Sequence, residues 1–179
     1  MHVSFKRTGV KRYAVTVTVS GEPERALNPA PGYDDDIPHD LVHYVVEAEL
    51  GLSNGVYGRA ARGAGTFMAT SDRDESPRER ARWQRKQRRR EQGLQRNDSR
   101  QRAEMASSER LAAICDVAWR RKHGQRPDPL RSEPKCSAED LPLVEQVVAR
   151  LDAIAPLWRS LPSDRELIFE WPKLEPTIR

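Results

Sequence analysis

Residues 1–19 have the sequence MHVSFKRTGVKRYAVTVTV, in which apolar and polar side chains alternate on both sides of a short polar turn. The apolar positions of one face are Val3, Phe5, Tyr13, Val15, Val17 and Val19. Alternation with a period of two is typical of strands with one buried face, so the stretch predicts a β-hairpin. Residues 166–171 alternate again and end before Pro172, which predicts a third strand beside the hairpin. Residues 20–36, with three prolines and two glycines, predict a loop.

Two segments in the middle of the chain have the apolar spacing of amphipathic helices. The first covers residues 38–50, with Asp36 as its expected N-cap and Gly51 directly after its end. The second covers residues 108–123 and ends before a glycine. The stretch 51–70 contains five glycines, and we expect turns there rather than a regular element.

A third helix is the most clearly marked of the three. Apolar residues recur at three- and four-residue steps over residues 144–161, behind a cap at Ser137 or Asp140. Pro156 is expected to kink its last part. Together the elements predict an α+β fold, in which a small antiparallel sheet (the N-terminal hairpin plus the C-terminal strand) packs with about three helices.

The basic charge of the chain is concentrated in one segment. Residues 73–102 contain 12 Arg or Lys against 5 Asp or Glu, a net of +7, and the remaining 19 basic and 22 acidic residues give −3. This segment has no apolar stripe, which predicts a solvated helix or a disordered linker, with the linker favoured in its second half. We therefore predict a single α+β domain formed by residues 1–70 and 104–179, with residues 71–103 as an arginine-rich insert or linker.

The compartment is predicted from what the sequence lacks. No run of apolar residues is long enough to span a bilayer, and the first residues have no apolar region of the kind found in signal peptides. Cys115 and Cys136 are not part of a C-x-x-C pair, so a disulfide scaffold or a four-thiolate zinc site is not supported. These features predict a cytoplasmic protein with reduced thiols and no membrane partner.

The first predicted helix carries the residues with the clearest chemistry. His39, His43 and Glu47 lie four residues apart along the edge of its apolar face. Two imidazoles at this spacing can bind one divalent transition metal such as zinc. Each step rises about 6 Å, so a single ion cannot bind both His39 and Glu47. The ligands would be His39 and His43, or His43 and Glu47, plus at least one from another element. The visible candidates for that ligand are His123, Asp116, Cys115 and Cys136.

These residues also predict roles beyond metal ligation. In a metal-binding, hydrolase-like protein, Glu47 is a candidate ligand or catalytic base, and Asp40 is a candidate for orienting an imidazole. Asp40 stands where the zinc-protease pattern has a longer glutamate base, which disfavours peptidase chemistry. Two other interpretations remain: a metal-free imidazole–carboxylate pair acting as general acid and base, and a pair of half-exposed histidines with a structural role.

Two resemblances bear on these residues. The core His39-Asp40-x-x-His43 resembles the zinc motif of a ubiquinone-biosynthesis protein family, which implies zinc binding by the two histidines. That family has a glutamate twelve residues after the second histidine, where this chain has Gly55, so the resemblance covers five residues. The chain is also similar to a family of short bacterial proteins of unknown function, a resemblance that implies no activity. The similarity lies in the hairpin, the stretch from Pro38 to His43, Glu49-Leu-Gly-Leu and Trp171-Pro172.

The arginine-rich segment supports an alternative function. Its candidate nucleic-acid contacts are Arg82, Trp83, Arg85, Lys86, Arg88, Arg89 and Arg90. Guanidinium groups can neutralise phosphates and an indole can stack on a base. The alternative to a metal protein is thus a non-catalytic protein that binds an anionic partner, either nucleic acid or an acidic protein, through residues 73–102. An apolar face for a membrane surface is lacking.

Overall fold

The computed structural model describes residues 1–65, 67–69, 78, 82, 85, 89, 98–125 and 134–179. Its strands are β1 (His2–Gly9), β2 (Arg12–Thr18), β3 (Arg25–Leu27), β4 (Met68–Ala69), β5 (Glu166–Glu170) and β6 (Thr177–Ile178). The helices with described bounds are α1 (His39–Leu50), α2 (Val56–Ala61), α3 (Asp98–Lys122) and α4 (Leu141–Arg159). The strands form one antiparallel sheet in the order β4-β3-β2-β1-β5-β6, which confirms the α+β class.

The predicted hairpin and C-terminal strand form the centre of this sheet. Phe5 of β1 lies opposite Val15 of β2 on one side and Leu167 of β5 on the other. All three side chains are fully buried, as the alternating pattern requires when helices cover one face of the sheet. Burial of this face is the main favourable term for the sheet, at roughly 1.5–3 kcal/mol for each large apolar side chain.

The sheet and the helices extend further than the sequence predicted. β3 lies inside the segment 20–36, which was expected to be a loop. The glycine-rich stretch 51–70 was expected to hold turns alone, yet it contains α2 and the short strand β4. Elements of two to six residues are too short to establish a hydrophobic period, so nothing in the local pattern distinguishes them from turns.

Helix α1 has the bounds that the apolar period predicted, except at its N-terminus. Gly51 follows its last residue with a left-handed φ of 62°, a conformation that favours glycine. The expected N-cap, Asp36, was wrong: Pro38 is the N-cap, with extended backbone and no capping side chain. The preceding turn is instead closed by the Asp34 carboxylate, which accepts the backbone N–H groups of Asp36 and Ile37.

Helix α3 begins ten residues earlier than the predicted start at residue 108. It therefore crosses the expected domain boundary at residue 103, and the end of the arginine-rich segment is helical rather than a linker. The division into one domain and an insert remains a prediction. Helix α4 begins after Asp140, one of its two predicted caps, and contains Pro156. No helix in the described part of the chain is long and apolar enough to cross a membrane.

Helix α1 is enclosed by the rest of the domain. Its seven consecutive residues from Leu41 to Glu47 are all buried. Tyr44 faces the sheet, with its ring 6.0 Å from that of Phe5 and 4.7 Å from that of Phe169. His43 and Glu47 lie on the side of the helix that packs against α3. The polar edge of α1 is therefore inside the protein.

Gly55 allows the carboxylate of Glu47 to reach the start of α2. The two carboxylate oxygens accept the backbone N–H groups of Val56 and Tyr57, at 2.7 and 2.8 Å. A negative group at a helix N-terminus satisfies amides that have no partner within the helix. A Cβ atom on residue 55 would overlap the Glu47 carboxylate, so only glycine leaves room for this contact.

We expect Gly55→Ala to lower the free energy of unfolding by about 1–3 kcal/mol, because the added methyl displaces a buried carboxylate from its hydrogen bonds. Urea denaturation of Gly55→Ala, Glu47→Ala and the double variant would measure this effect. In the Glu47→Ala background the added methyl should lower the free energy of unfolding by clearly less, because the carboxylate that it displaces is gone. An equal cost in both backgrounds would contradict the proposed overlap.

Candidate metal centre

Three potential ligands converge between α1 and α3. The Nε2 atoms of His39 and His43 lie 3.1 Å apart, and Oε2 of Glu109 is 3.6 Å from Nε2 of His43. One ligand atom from each of the three residues can be chosen so that all lie within 4.8 Å of one another. The imidazole rings are nearly perpendicular, with an interplanar angle of 88°. This cluster could hold a metal ion, and it contains the two predicted histidines.

The cluster lies at the edge of the buried core. The side chain of His43 is 6% exposed, whereas that of Glu109 is 61% exposed. His39, one turn before His43, is half-buried. One side of the cluster is thus anchored in the protein and the other is open to solvent.

A chain of hydrogen bonds holds the second ring nitrogen of His43. Ser108 Oγ donates to Glu47 Oε1 at 2.7 Å and lies 3.1 Å from His43 Nδ1. A hydroxyl has a single hydrogen, so Ser108 accepts from the imidazole while it donates to the carboxylate. With Glu47 ionised, this pattern puts the proton of neutral His43 on Nδ1, and the lone pair of Nε2 points toward His39 and Glu109.

Glu47, predicted as a ligand or catalytic base, occupies the far end of this chain. Its side chain is fully buried and accepts hydrogen bonds from Ser108 and from the start of α2. Burial raises the pKa of Glu47 above its usual value, and these hydrogen bonds oppose the shift because they stabilise the carboxylate. The structure thus links Glu47 to His43 through Ser108, and the third member of the cluster is Glu109.

Asp40, predicted to orient an imidazole, is hydrogen-bonded to Tyr13 instead. The hydroxyl of Tyr13 lies 2.6 Å from its carboxylate, and burial raises the pKa of Asp40. The hydroxyl of Tyr57 donates to its backbone carbonyl. The residue that contacts the imidazole of His43 and orients it is Ser108, through Nδ1. Catalytic roles for Asp40 and Glu47 stay predictions.

The ligands that were considered as partners for the histidines lie elsewhere. Cys115 is in the core, where burial raises the pKa of its thiol to about 12. Asp116 pairs with Arg120 at 3.0 Å, and His123 Nε2 lies 2.7 Å from Asp152. Cys136 is exposed and donates to the carbonyl of Ser137.

Sequence reasoning missed Glu109 and Ser108 because both come from the distant helix α3. One signal was present: Ser108 interrupts the buried stripe of that helix, which continues with Leu111, Ala112, Cys115 and Trp119. A polar residue on an apolar face needs a buried partner, and here the partner is His43. Position 55, where the ubiquinone-biosynthesis motif has a glutamate, is the glycine that contacts Glu47.

The candidate nucleic-acid residues are only partly described. Arg82, Arg85 and Arg89 have helical backbone and exposed side chains. Trp83, Lys86, Arg88 and Arg90 lie outside the described residues.

No protein-family model, curated protein or solved structure matches the chain. The two sequence resemblances therefore stay predictions, and the case for a function depends on the geometry of the chain itself.

Replacing Ser108 tests the hydrogen-bond chain. We expect Ser108→Ala to lower the free energy of unfolding by about 1–3 kcal/mol, because His43 Nδ1 and Glu47 each lose a buried partner. Nitrogen-15 NMR of the imidazoles in metal-free protein should show Nδ1–H as the main neutral tautomer of His43 in the wild type, and a weaker preference in the variant. Ser107→Ala, one residue away and less buried, is the control and should change neither quantity. A His43 protonated on Nε2 in the wild type would contradict the assignment.

Proposed function

We propose that the protein binds one divalent transition metal, with zinc as the best-fitting ion, through His39, His43 and Glu109. The observation that carries the proposal is the convergence of two imidazole Nε2 atoms and one carboxylate oxygen from two helices. Two histidines and one glutamate are a known ligand set of catalytic zinc sites.

The distances suit zinc. At zinc–nitrogen bond lengths of about 2.0–2.1 Å, two ligands in tetrahedral geometry are separated by about 3.3–3.4 Å. The Nε2 atoms of His39 and His43 are 3.1 Å apart, and the Glu109 oxygen is 3.6 Å from His43. The three ligand atoms lie within 4.8 Å of one another, which exceeds this spacing, so the exposed Glu109 side chain must move closer for all three to bind one ion.

The surroundings of His43 also favour a metal ligand. A metal-binding imidazole usually donates its other N–H to an outer partner, which fixes the ring and makes the ligating nitrogen more basic. Ser108 is that partner, and it is in turn held by the buried carboxylate of Glu47. The Nε2 lone pair of His43 is thereby directed to the cluster before any ion is bound.

The open side of the cluster supports hydrolase-like chemistry. When bound by three protein ligands, zinc keeps a fourth position for water and lowers the pKa of that water to about 7, which supplies hydroxide at neutral pH. The exposed side chain of Glu109 lies at the edge of the cluster, where a substrate can approach from solvent. The buried histidine and its hydrogen-bond chain keep the ligands in place.

We expect near-stoichiometric zinc in protein purified without chelator, measured by elemental analysis. His39→Ala, His43→Ala and Glu109→Ala should each weaken zinc binding in a competition titration against a chromophoric chelator. Loss of an outer hydrogen-bond partner typically weakens metal binding roughly 10- to 100-fold. The two histidine variants should weaken zinc binding by more than this, because each removes a ligand itself. His123→Ala is the control, since that histidine pairs with Asp152 instead. Metal-free wild type, or equal affinities for all variants, would overturn the proposal.

The catalytic part has a separate test. The zinc-loaded protein should hydrolyse members of a panel of phosphate and carboxylate esters, and Glu109→Ala at saturating zinc should lose this activity while the fold is retained. Stoichiometric zinc without any turnover would reject hydrolysis and leave a metal-binding protein.

A further inference from the structure

Four arginines of the basic segment recur at the spacing of one helix face. Arg78, Arg82, Arg85 and Arg89 have helical backbone and exposed side chains. Their spacing of four, three and four residues places them within about 60° of one another around a helix axis, at 100° per residue. We call these four residues the arginine row.

In an ideal helix the arginine row is straight and regularly spaced. From its first to its last member it extends over about 16 Å, with neighbours about 4.5–6 Å apart along the axis. One strand of B-form DNA has a phosphate every 3.4 Å of axis, so the row extends along about five phosphates. Each guanidinium can donate two parallel hydrogen bonds to a phosphate.

The charge around the row is predominantly positive. Residues 78–90 contain eight Arg or Lys and one Glu, a net of +7, whereas the chain outside residues 73–102 has a net charge of −3. The attraction for a polyanion is therefore concentrated in this segment rather than spread over the domain.

We propose that the arginine row binds the phosphate backbone of nucleic acid, without reading its bases. The proposal is independent of the metal centre. A nucleic acid fits better than an acidic protein because its charges repeat along a line at short, fixed intervals, as those of the row do. A membrane surface fits poorly, because Ala81 and Trp83 are the only apolar residues between positions 78 and 90.

The proposal predicts a strong dependence on salt. If four phosphates of a duplex are neutralised, the logarithm of the association constant should fall with the logarithm of the salt concentration at a slope of about −3.6. Between 50 and 200 mM salt this slope weakens binding about 150-fold. Two duplexes of unrelated sequence should bind equally well, because backbone contacts carry no sequence information.

Fluorescence anisotropy with labelled 20-base-pair duplexes would measure these quantities on the full chain. A variant with Gln at all four positions of the row should lose most of the salt slope. The matched control removes four exposed charges elsewhere, by Lys11→Gln, Arg12→Gln, Lys135→Gln and Arg165→Gln, and should change the slope by less than about one. Circular dichroism would confirm that both variants keep the fold.

A second variant tests whether binding depends on the arrangement of the arginines in the row or only on the net charge. Arg82→Gln, Gln84→Arg, Arg85→Gln and Gln87→Arg together keep the net charge but move two arginines to positions that lie off the row in an ideal helix. The salt slope should fall by about two if the row is the binding surface. An unchanged slope, absence of binding by the wild type at 50 mM salt, or equally tight binding of a labelled polyglutamate peptide would each overturn the proposal.

Discussion

The packing around helix α1 depends on one requirement: the buried polar side chains along its edge need hydrogen-bond partners. This helix is buried over seven consecutive residues, so its two polar members, His43 and Glu47, must find partners inside the protein. A buried polar group without a partner costs about 1–3 kcal/mol, and a charged one costs more. The partners come from the start of α2 and from Ser108 of α3. The packing of three helices is therefore tied to the satisfaction of one carboxylate and one imidazole.

This arrangement also fixes the orientation of His43 in the candidate site. His43 is fixed at Nδ1 by Ser108, and Glu47 fixes Ser108 while it is itself held by two backbone amides. Glu109 follows Ser108 directly in α3, so the same contact that orients the imidazole also places the carboxylate beside it. Of the three candidate ligands, His43 is thus held in one orientation before any ion binds, which favours a precise site.

The sequence predicted the elements whose apolar pattern extends over enough residues to show a period. The hairpin, the strand beginning at Glu166 and helix α1 up to Gly51 agree with the structure because burial of one face imposes their period. Helix α2 and strands β3 and β4 were missed because they are too short to show a period, and because β4 pairs with a strand distant in sequence. For the same reason the histidines could be proposed from their spacing, but Glu109, 66 positions after His43, required the packing of α1 against α3.

The exposure of the ligands bears on what a bound ion would do. Structural zinc sites are closed, with four protein ligands that exclude water, and they stabilise small domains that lack a sufficient core. This domain already has a continuous core of sheet and helices, and the cluster lies at its edge rather than at its centre. Its most exposed member, Glu109, is 61% accessible, so the cluster faces solvent on that side. An ion held here would have room for a water molecule, which is the arrangement that metal-assisted hydrolysis requires.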